Sequence, residues 1–329
     1  MLQSDRMLSL RCPACSSSDM ILRVHGKIFS LLKCAKCGLV YTSPMPTDHE
    51  LLKYYQGFNF QKQPTKTLLA RIPSICRSLR HFVGTSKISG RFLDYGGGSG
   101  IYALAAERLG WEADLYDCDE QMVEFARREL SVARAYTTLE NVKGPYNVIF
   151  AFHVIEHWND FDRNLKQLLS ILAPGGSLLF ATPNANSVEK SVRSAHRQSY
   201  RNILIKNGAS EDQADFWMNQ NDSITCWDPP RHLFAFTPQS FVEIGKRYSL
   251  ETTIWTGFNT SEVFEPRSYV VPRYSESMII AITGARAGNP KSAIRKFITD
   301  IRLRQRLQQL RKSHPHLGEQ LYVKYSINS

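Results

Sequence analysis

Three groups of residues in this 329-residue sequence have the types and spacing to do chemistry. The first is a pair of thiol pairs, Cys12-Pro-Ala-Cys15 and Cys34-Ala-Lys-Cys37, with eighteen residues between them. Each C-x-x-C turn presents two thiolates to one side, and two such turns complete a tetrahedron around a zinc ion. Four protein ligands leave no open position, so this zinc is expected to be structural. Two redox disulfides are the alternative and fit poorly with a reducing compartment. Cys76, Cys118 and Cys226 lack such partners and read as packing residues.

The second group is Asp94-Tyr95-Gly96-Gly97-Gly98-Ser99-Gly100, with Asp117 following at the end of the next apolar run. Glycines at this spacing let a backbone approach a ligand closely, and the helix that follows turns its first N–H groups toward it. The spacing G-x-G-x-G differs from the G-x-G-x-x-G of dinucleotide sites. An acid about twenty residues past the first glycine is placed to accept hydrogen bonds from ribose hydroxyls. The third group is His153, Glu156, His157 and His232. Imidazole has the right basicity to move a proton near neutrality, and a carboxylate beside it can orient it. The alternative for Glu156 and His157 is that they cap the helix that follows.

These residues require elements to hold them. Arg91–Tyr95 reads as an apolar strand, and 101–109 as a helix ended by Gly110. Ala113–Asp117 is a second strand, 119–130 a helix, and Val132–Tyr136 a weak third strand. Tyr146–His153 is a continuous apolar run of the kind buried in parallel sheets. Phe161–Leu172 is a helix, Ser177–Ala181 a fifth strand, Thr237–Tyr248 a helix and Glu251–Thr256 a strand. Strands alternating with helices imply an α/β fold, a doubly wound sheet with helices on both faces. Upstream, Thr47-Asp48-His49-Glu50 reads as a capping box opening a helix through Tyr54-Tyr55. Residues 61–89 read as linker helices, limited in length by Pro73.

The stretch Phe92–Gly100 with Asp117 resembles the cofactor motifs of class I S-adenosylmethionine (SAM)-dependent methyltransferases. Tyr146–His157, ending in Glu156-His157, is similar to the fourth-strand segment of that superfamily. Leu172–Leu179, with Pro174-Gly175-Gly176, is similar to its turn before the fifth strand. The resemblance covers roughly residues 90–258 and implies a Rossmann-like sheet. It also implies SAM as cofactor, held by Asp94, Gly96, Gly98, Gly100 and Asp117, with Phe152 and His153 beside it. One departure is Asn147, where the family commonly has an acid. The knuckle followed by Pro44-x-Pro46 and Tyr54-Tyr55 looks like a bacterial subgroup whose members often accompany sugar and cell-surface glycan pathways.

The expected organisation is a zinc ribbon and capping helix over 1–60, linker helices over 61–89, and a SAM domain over 90–260. Within the last, residues 184–228 are a polar insertion long enough to act as a lid over the acceptor. A basic, helical C-terminal appendage is expected over 261–329. From Ala285 onward ten Lys and Arg face two acids, so +8 of the net +11 lies there. A basic tail can meet an anionic substrate, a membrane surface or RNA, or be a solvated face. No apolar run approaches a membrane span of roughly 18 residues. The N-terminus carries no apolar h-region, which favours the cytoplasm.

Methyl transfer to an alcohol needs a base, and His157, His232 and Glu156 are the candidate catalytic residues. Phe152-His153-Val154-Ile155 stands where nucleobase-amine methyltransferases commonly carry Asn/Asp-Pro-Pro-Tyr/Phe. An oxygen acceptor on a small molecule or glycan is therefore the leading reading. The alternatives are an RNA methyltransferase gripping its substrate with the knuckle and basic tail, and a non-catalytic SAM-binding zinc scaffold. The first alternative lacks aromatic stacking platforms. The second runs against the intact glycine and acid motif.

Overall fold

The computed structural model describes residues 11–24, 29–56, 64–83, 89–186, 230–257 and 320–327, with single positions at 211, 298, 305 and 309. The N-terminal segment forms a small antiparallel sheet of β1 (Met20–Val24), β2 (Ser30–Cys34) and β3 (Val40–Ser43). Helix α1 (Asp48–Gln56) follows, opened by the expected capping box. The Thr47 N–H donates to the Glu50 carboxylate at 2.7 Å, and the Glu50 N–H donates back to the Thr47 hydroxyl at 3.2 Å.

Helix α2 (Thr65–Val83) runs unbroken through Pro73, contrary to the expected limit. Pro73 lies on the exposed face, as does Leu69 four residues earlier, so water can take the hydrogen bond that proline does not make. The opposite stripe, Leu68, Ile72, Ile75, Leu79 and Phe82, is buried and holds the helix by its packing.

The main sheet is built from β4 (Arg91–Tyr95), β5 (Glu112–Tyr116), β6 (Ala135–Tyr136), β7 (Tyr146–Phe152) and β8 (Leu172–Pro183). Between them run α3 (Ile101–Arg108), α4 (Glu120–Leu130) and α5 (Phe161–Ser170). Asp119 caps α4 and Asp160 caps α5, so the helix after Glu156 and His157 has its own cap. The chain continues as β9 (Phe234–Ala235), α6 (Pro238–Arg247), β10 (Leu250–Gly257) and β11 (Gln320–Ile327). Spatial order is β10-β11-β8-β7-β4-β5-β6. The pairs β4–β5, β4–β7, β5–β6 and β7–β8 are parallel, and β11 runs antiparallel between β8 and β10. One core lies between the sheet and α2, α3 and α4, and a second between the other face and α5 and α6.

Two expected boundaries change. Residues 320–327 belong to the main sheet, not to an appendage: Tyr322 pairs with Ala181 and with Trp255, and Leu321, Val323 and Tyr325 are fully buried. The ribbon over 1–60 is not a separate unit. Strand β3 pairs with β9, and Cys12, Cys34, Cys37, Leu39 and Tyr41 share a core with Leu165, Phe236 and Phe241. So small a sheet has too little apolar surface of its own and buries it against the larger domain. The 184–228 insertion, apart from 184–186 and 211, lies outside the described residues, as does the expected helical appendage before residue 320 apart from 298, 305 and 309. Asn147 carries no charge but keeps a structural place, with its side-chain oxygen accepting from the Arg91 N–H at 2.9 Å.

Candidate functional site

Parallel strands bring the ends of β4, β5, β7 and β8 to one edge, and the glycine turn and the histidine–glutamate group lie along it. After β4 the chain turns through Gly96, Gly97, Gly98 and Gly100. Gly96 and Gly97 both donate to the Tyr116 carbonyl, at 2.7 and 3.2 Å, which ties the turn to the end of β5. Asp94 is fully buried beneath the turn, and its Oδ2 accepts from the Ala103 N–H at 3.0 Å in the first turn of α3. A Cβ at Gly97 would stand 2.2 Å from the Asp94 carboxyl carbon, so only glycine fits there. At Gly98, with φ +53°, the nearest obstacle to a Cβ is Met122 at 3.8 Å, which leaves this part of the turn open. Asp117 accepts from the Gly98 N–H at 2.7 Å and from the Asp119 N–H at 2.9 Å, leaving further lone pairs for a ligand.

Asp94 Oδ1 is buried with no hydrogen-bond partner. Burial pushes the Asp94 carboxyl up to about 7, against the Ala103 bond. Burial also raises Asp117. An acceptor-only oxygen lacking a donor, an open glycine turn and a second acid at the next strand end fit a ligand with an ammonium group and a ribose diol, which SAM carries. Phe152 is half-buried, its ring 5.2 Å from that of Tyr102 in α3.

The fourth-strand end is organised around Glu156, which lies in a 3₁₀ turn, Ile155–His157. Its carboxylate is 1% exposed. One oxygen accepts from His153 Nδ1–H at 2.9 Å and the other from the Thr182 hydroxyl at 3.0 Å. Burial opposes its ionisation, but the His153 bond and the surrounding imidazoles outweigh it and hold the carboxyl at about 2. His153, at φ +56°, is held at both nitrogens, since its Nε2 lies 2.9 Å from the Gln320 amide nitrogen. His153 is thus a member of the Glu156 network. Its backbone N–H donates to the Ala181 carbonyl at 2.8 Å.

His157 and His232 lie side by side, ring centroids 4.8 Å apart. His157 Nδ1 lies 2.9 Å from the Arg231 carbonyl, which accepts only, so Nδ1 carries the proton and Nε2 is the basic nitrogen. The Tyr55 hydroxyl is 3.0 Å from the same Nδ1. Burial lowers the pKa of His157, and burial with the neighbouring His157 lowers that of His232 to about 3. Donor atoms of Glu156, His157 and His232 lie within 4.8 Å of one another. One oxygen of Glu156 is engaged by His153 and the other by Thr182.

The four thiols Cys12, Cys15, Cys34 and Cys37 come together. Cys12 and Cys37 sulfurs are 3.5 Å apart, as are those of Cys15 and Cys34, and all four lie within 4.8 Å. Tetrahedral zinc with Zn–S of about 2.3 Å requires sulfurs roughly 3.8 Å apart, so the set fits that ion.

Tyr55, Thr182 and Gln320 enter the site without a sequence motif to announce them. The tyrosine pair at 54–55 was visible in the sequence, but its meeting with His157 depends on the fold.

A sheet of this order with a glycine turn and two acids at its carboxyl edge defines a SAM-dependent methyltransferase. A family model described as a methyltransferase domain matches residues 68–253, more than half of the chain, and the chain belongs to that family. Curated relatives are ubiquinone biosynthesis O-methyltransferases. That of Caulobacter sp. (strain K31) is 28% identical over 131 residues, 37% of this chain and 52% of the relative. That of Rhodopseudomonas palustris (strain BisB5) is 30% identical over 122 residues, 34% and 47%. The chain spans about half the length of the curated relatives it matches. Among solved structures, the plantazolicin methyltransferase BpumL in complex with a pentazolic desmethylPZN analog and SAH is 17% identical, covering 85% of this chain and 91% of that one, with a TM-score of 0.41. A SAM-dependent methyltransferase from Archaeoglobus fulgidus is 14% identical, covering 78% and 94%, with a TM-score of 0.42. Among the described residues no helix is long and apolar enough to cross a membrane.

Proposed function

We propose that this methyltransferase acts on a hydroxyl oxygen of a small molecule, sugars and glycans included, with His157 as the base. The observation that carries this reading is the His157 ring: Nδ1–H tied to the Arg231 carbonyl at 2.9 Å, and His232 packed beside it next to the buried Glu156. SAM supplies an electrophilic methyl group on a good leaving group. Asp94 and Asp117 would hold its ammonium and ribose, and Gly96–Gly100 its backbone-facing side. What remains for the protein is to align the acceptor, exclude water and remove the acceptor proton. A neutral imidazole with a basic Nε2 suits the last task, and His232, Arg231 and Glu156 fix its surroundings. The four clustered cysteines would hold a structural zinc, and a cytoplasmic setting belongs to the same reading.

The test is to incubate the protein with SAM and a panel of nucleotide sugars, simple glycosides and phenols, following each by mass for a gain of one methyl. Methylation confined to amines or nucleobases would overturn the oxygen-acceptor reading while leaving the methyltransferase intact.

A further inference from the structure

Two structural facts tie the N-terminal unit to the turn that carries Glu156 and His157. Leu233 sits between the ribbon and the catalytic turn: its carbonyl accepts from the Thr42 N–H at 2.9 Å, and its N–H donates to the Glu156 carbonyl at 2.8 Å. The ribbon sheet thus continues through one residue to the backbone of Glu156, and Arg231 and His232 immediately precede that residue. At the nitrogen of His157 that also meets the Arg231 carbonyl, α1 brings Tyr55. Helix α1 is pinned by the Asp48 carboxylate, which takes the Arg163 guanidinium at 3.0 Å and the Asn159 amide at 2.7 Å. Asn159 also donates to the Pro46 carbonyl at 3.1 Å. Tyr55 packs edge-on to His157, with centroids 6.3 Å apart. Burial raises the pKa of its hydroxyl, which therefore stays protonated.

We propose that Tyr55 is a positioning residue of the reaction centre: its hydroxyl and the Arg231 carbonyl share the Nδ1–H of His157, and the four-cysteine unit holds both acceptors in place. The carbonyl can only accept, so the proton is on Nδ1, and the Tyr55 oxygen at 3.0 Å is the second acceptor of that proton. Two acceptors on one side of the ring fix its tautomer and leave Nε2 with its lone pair. In this arrangement the cysteines govern the state of an imidazole far from them in sequence. The links run through β3 to β9 and Leu233, through β3 to α1, and through the Thr237 hydroxyl, which donates to the Cys37 carbonyl at 2.7 Å. The matched family domain begins at residue 68, so Tyr55 is an addition to it. This inference rests on the reading of His157 as the base.

The test is nitrogen–proton correlation NMR of the histidine rings in the full zinc-loaded chain, comparing the parent with Tyr55→Phe and Tyr55→Leu, with SAH calorimetry alongside. The parent should hold His157 in the Nδ1–H tautomer. Loss of one net hydrogen bond should shift the tautomer ratio toward Nε2–H roughly fivefold in Tyr55→Phe, and Tyr55→Leu should do at least as much. Removing zinc with a chelator should move the ratio the same way, and adding zinc back should restore it. An unchanged ratio in Tyr55→Phe overturns the role of the hydroxyl. An unchanged ratio in chelated, zinc-free protein overturns the role of the four-cysteine unit. Failure of the parent to bind SAH would instead count against the methyltransferase reading, and the tautomer measurement stands apart from it.

Discussion

Asp94 lies directly beneath Gly97, so that a methyl group on Gly97 would overlap its carboxyl carbon at 2.2 Å. The pair is fixed from both sides, because Asp94 is also bonded to the N–H of Ala103 at the start of α3. Strand, turn and helix are therefore locked together by one buried carboxylate.

Gly97→Ala should displace that carboxylate. Overpacking a tight buried contact costs about 1–3 kcal/mol, so SAH affinity should fall by roughly five- to hundredfold. Calorimetry that finds parent-like SAH binding in a folded Gly97→Ala variant would show that the turn tolerates a side chain and that Asp94 is not held as described.

The same carboxylate predicts a pH dependence. In the ligand-free protein burial raises Asp94 to about 7, above its ordinary value. Protonation is thus favoured by folding: this stabilisation is full below the unfolded pKa and is lost as pH rises through about 7. A cationic ammonium near Asp94 Oδ1 favours the ionised form instead. SAH affinity should therefore rise between about pH 5.5 and 7.5, approaching tenfold per pH unit well below 7, and level off above. Asp94→Asn should flatten that slope. A parent affinity independent of pH across this window would separate Asp94 from the ammonium.

Much of this was legible in the sequence, for a physical reason. A glycine turn between a strand and a helix is built from contiguous residues, so Gly96–Gly100 carry their own geometry, and Asp117 closes the adjacent strand of a parallel pair. Cysteine spacing is local in the same way. Partners that meet only through the fold were not legible. Tyr55 and His157 are 102 residues apart, and Gln320 and His153 are 167 apart. Strand β11 has an alternating aromatic and aliphatic pattern, but more than sixty residues separate it from β10, and local pattern does not name a distant neighbour. The ribbon read as an independent unit because a zinc site can fold alone. Its burial against α5 and α6 follows from an apolar face, Leu39 and Tyr41, that nothing nearer in sequence covers.

That burial changes what metal removal should do. A ribbon that folded alone would be lost by itself on chelation and spare the rest. With Cys12, Cys34 and Cys37 inside the core that holds Phe236 and Phe241, stripping the metal should lower the main thermal transition itself. A loss of only about 3 kcal/mol would move it by roughly 6–12 °C. Elemental analysis should find one zinc per chain. Calorimetry in which a chelator removes that zinc and leaves the main transition unmoved would restore the independent ribbon.

The acceptor side provides the sharpest test. His157 has a basic Nε2 and a pKa lowered from 6.5 by burial, while His232 is lowered to about 3. A group at about 3 holds a proton poorly at working pH, so of the two, His157 is the better base and His232 a neutral neighbour. Removing a general base typically costs about 10²–10⁴ in rate. With an acceptor from the panel and saturating SAM, His157→Ala should lose kcat by about that factor while SAH affinity stays near the parent value. His232→Ala should lose less. Because the neutral imidazole is the active form and its pKa is depressed, kcat/KM for the acceptor at saturating SAM, where the bound ammonium holds Asp94 ionised, should fall with acid only below pH 6.5, on the limb that belongs to His157. If His157→Ala turns over at nearly the parent rate, or if the acid limb is centred above 6.5, the proton goes elsewhere. If SAH affinity collapses with the rate, His157 is holding the 3₁₀ turn of Ile155–His157 in shape and the base must be sought among other groups at the carboxyl edge.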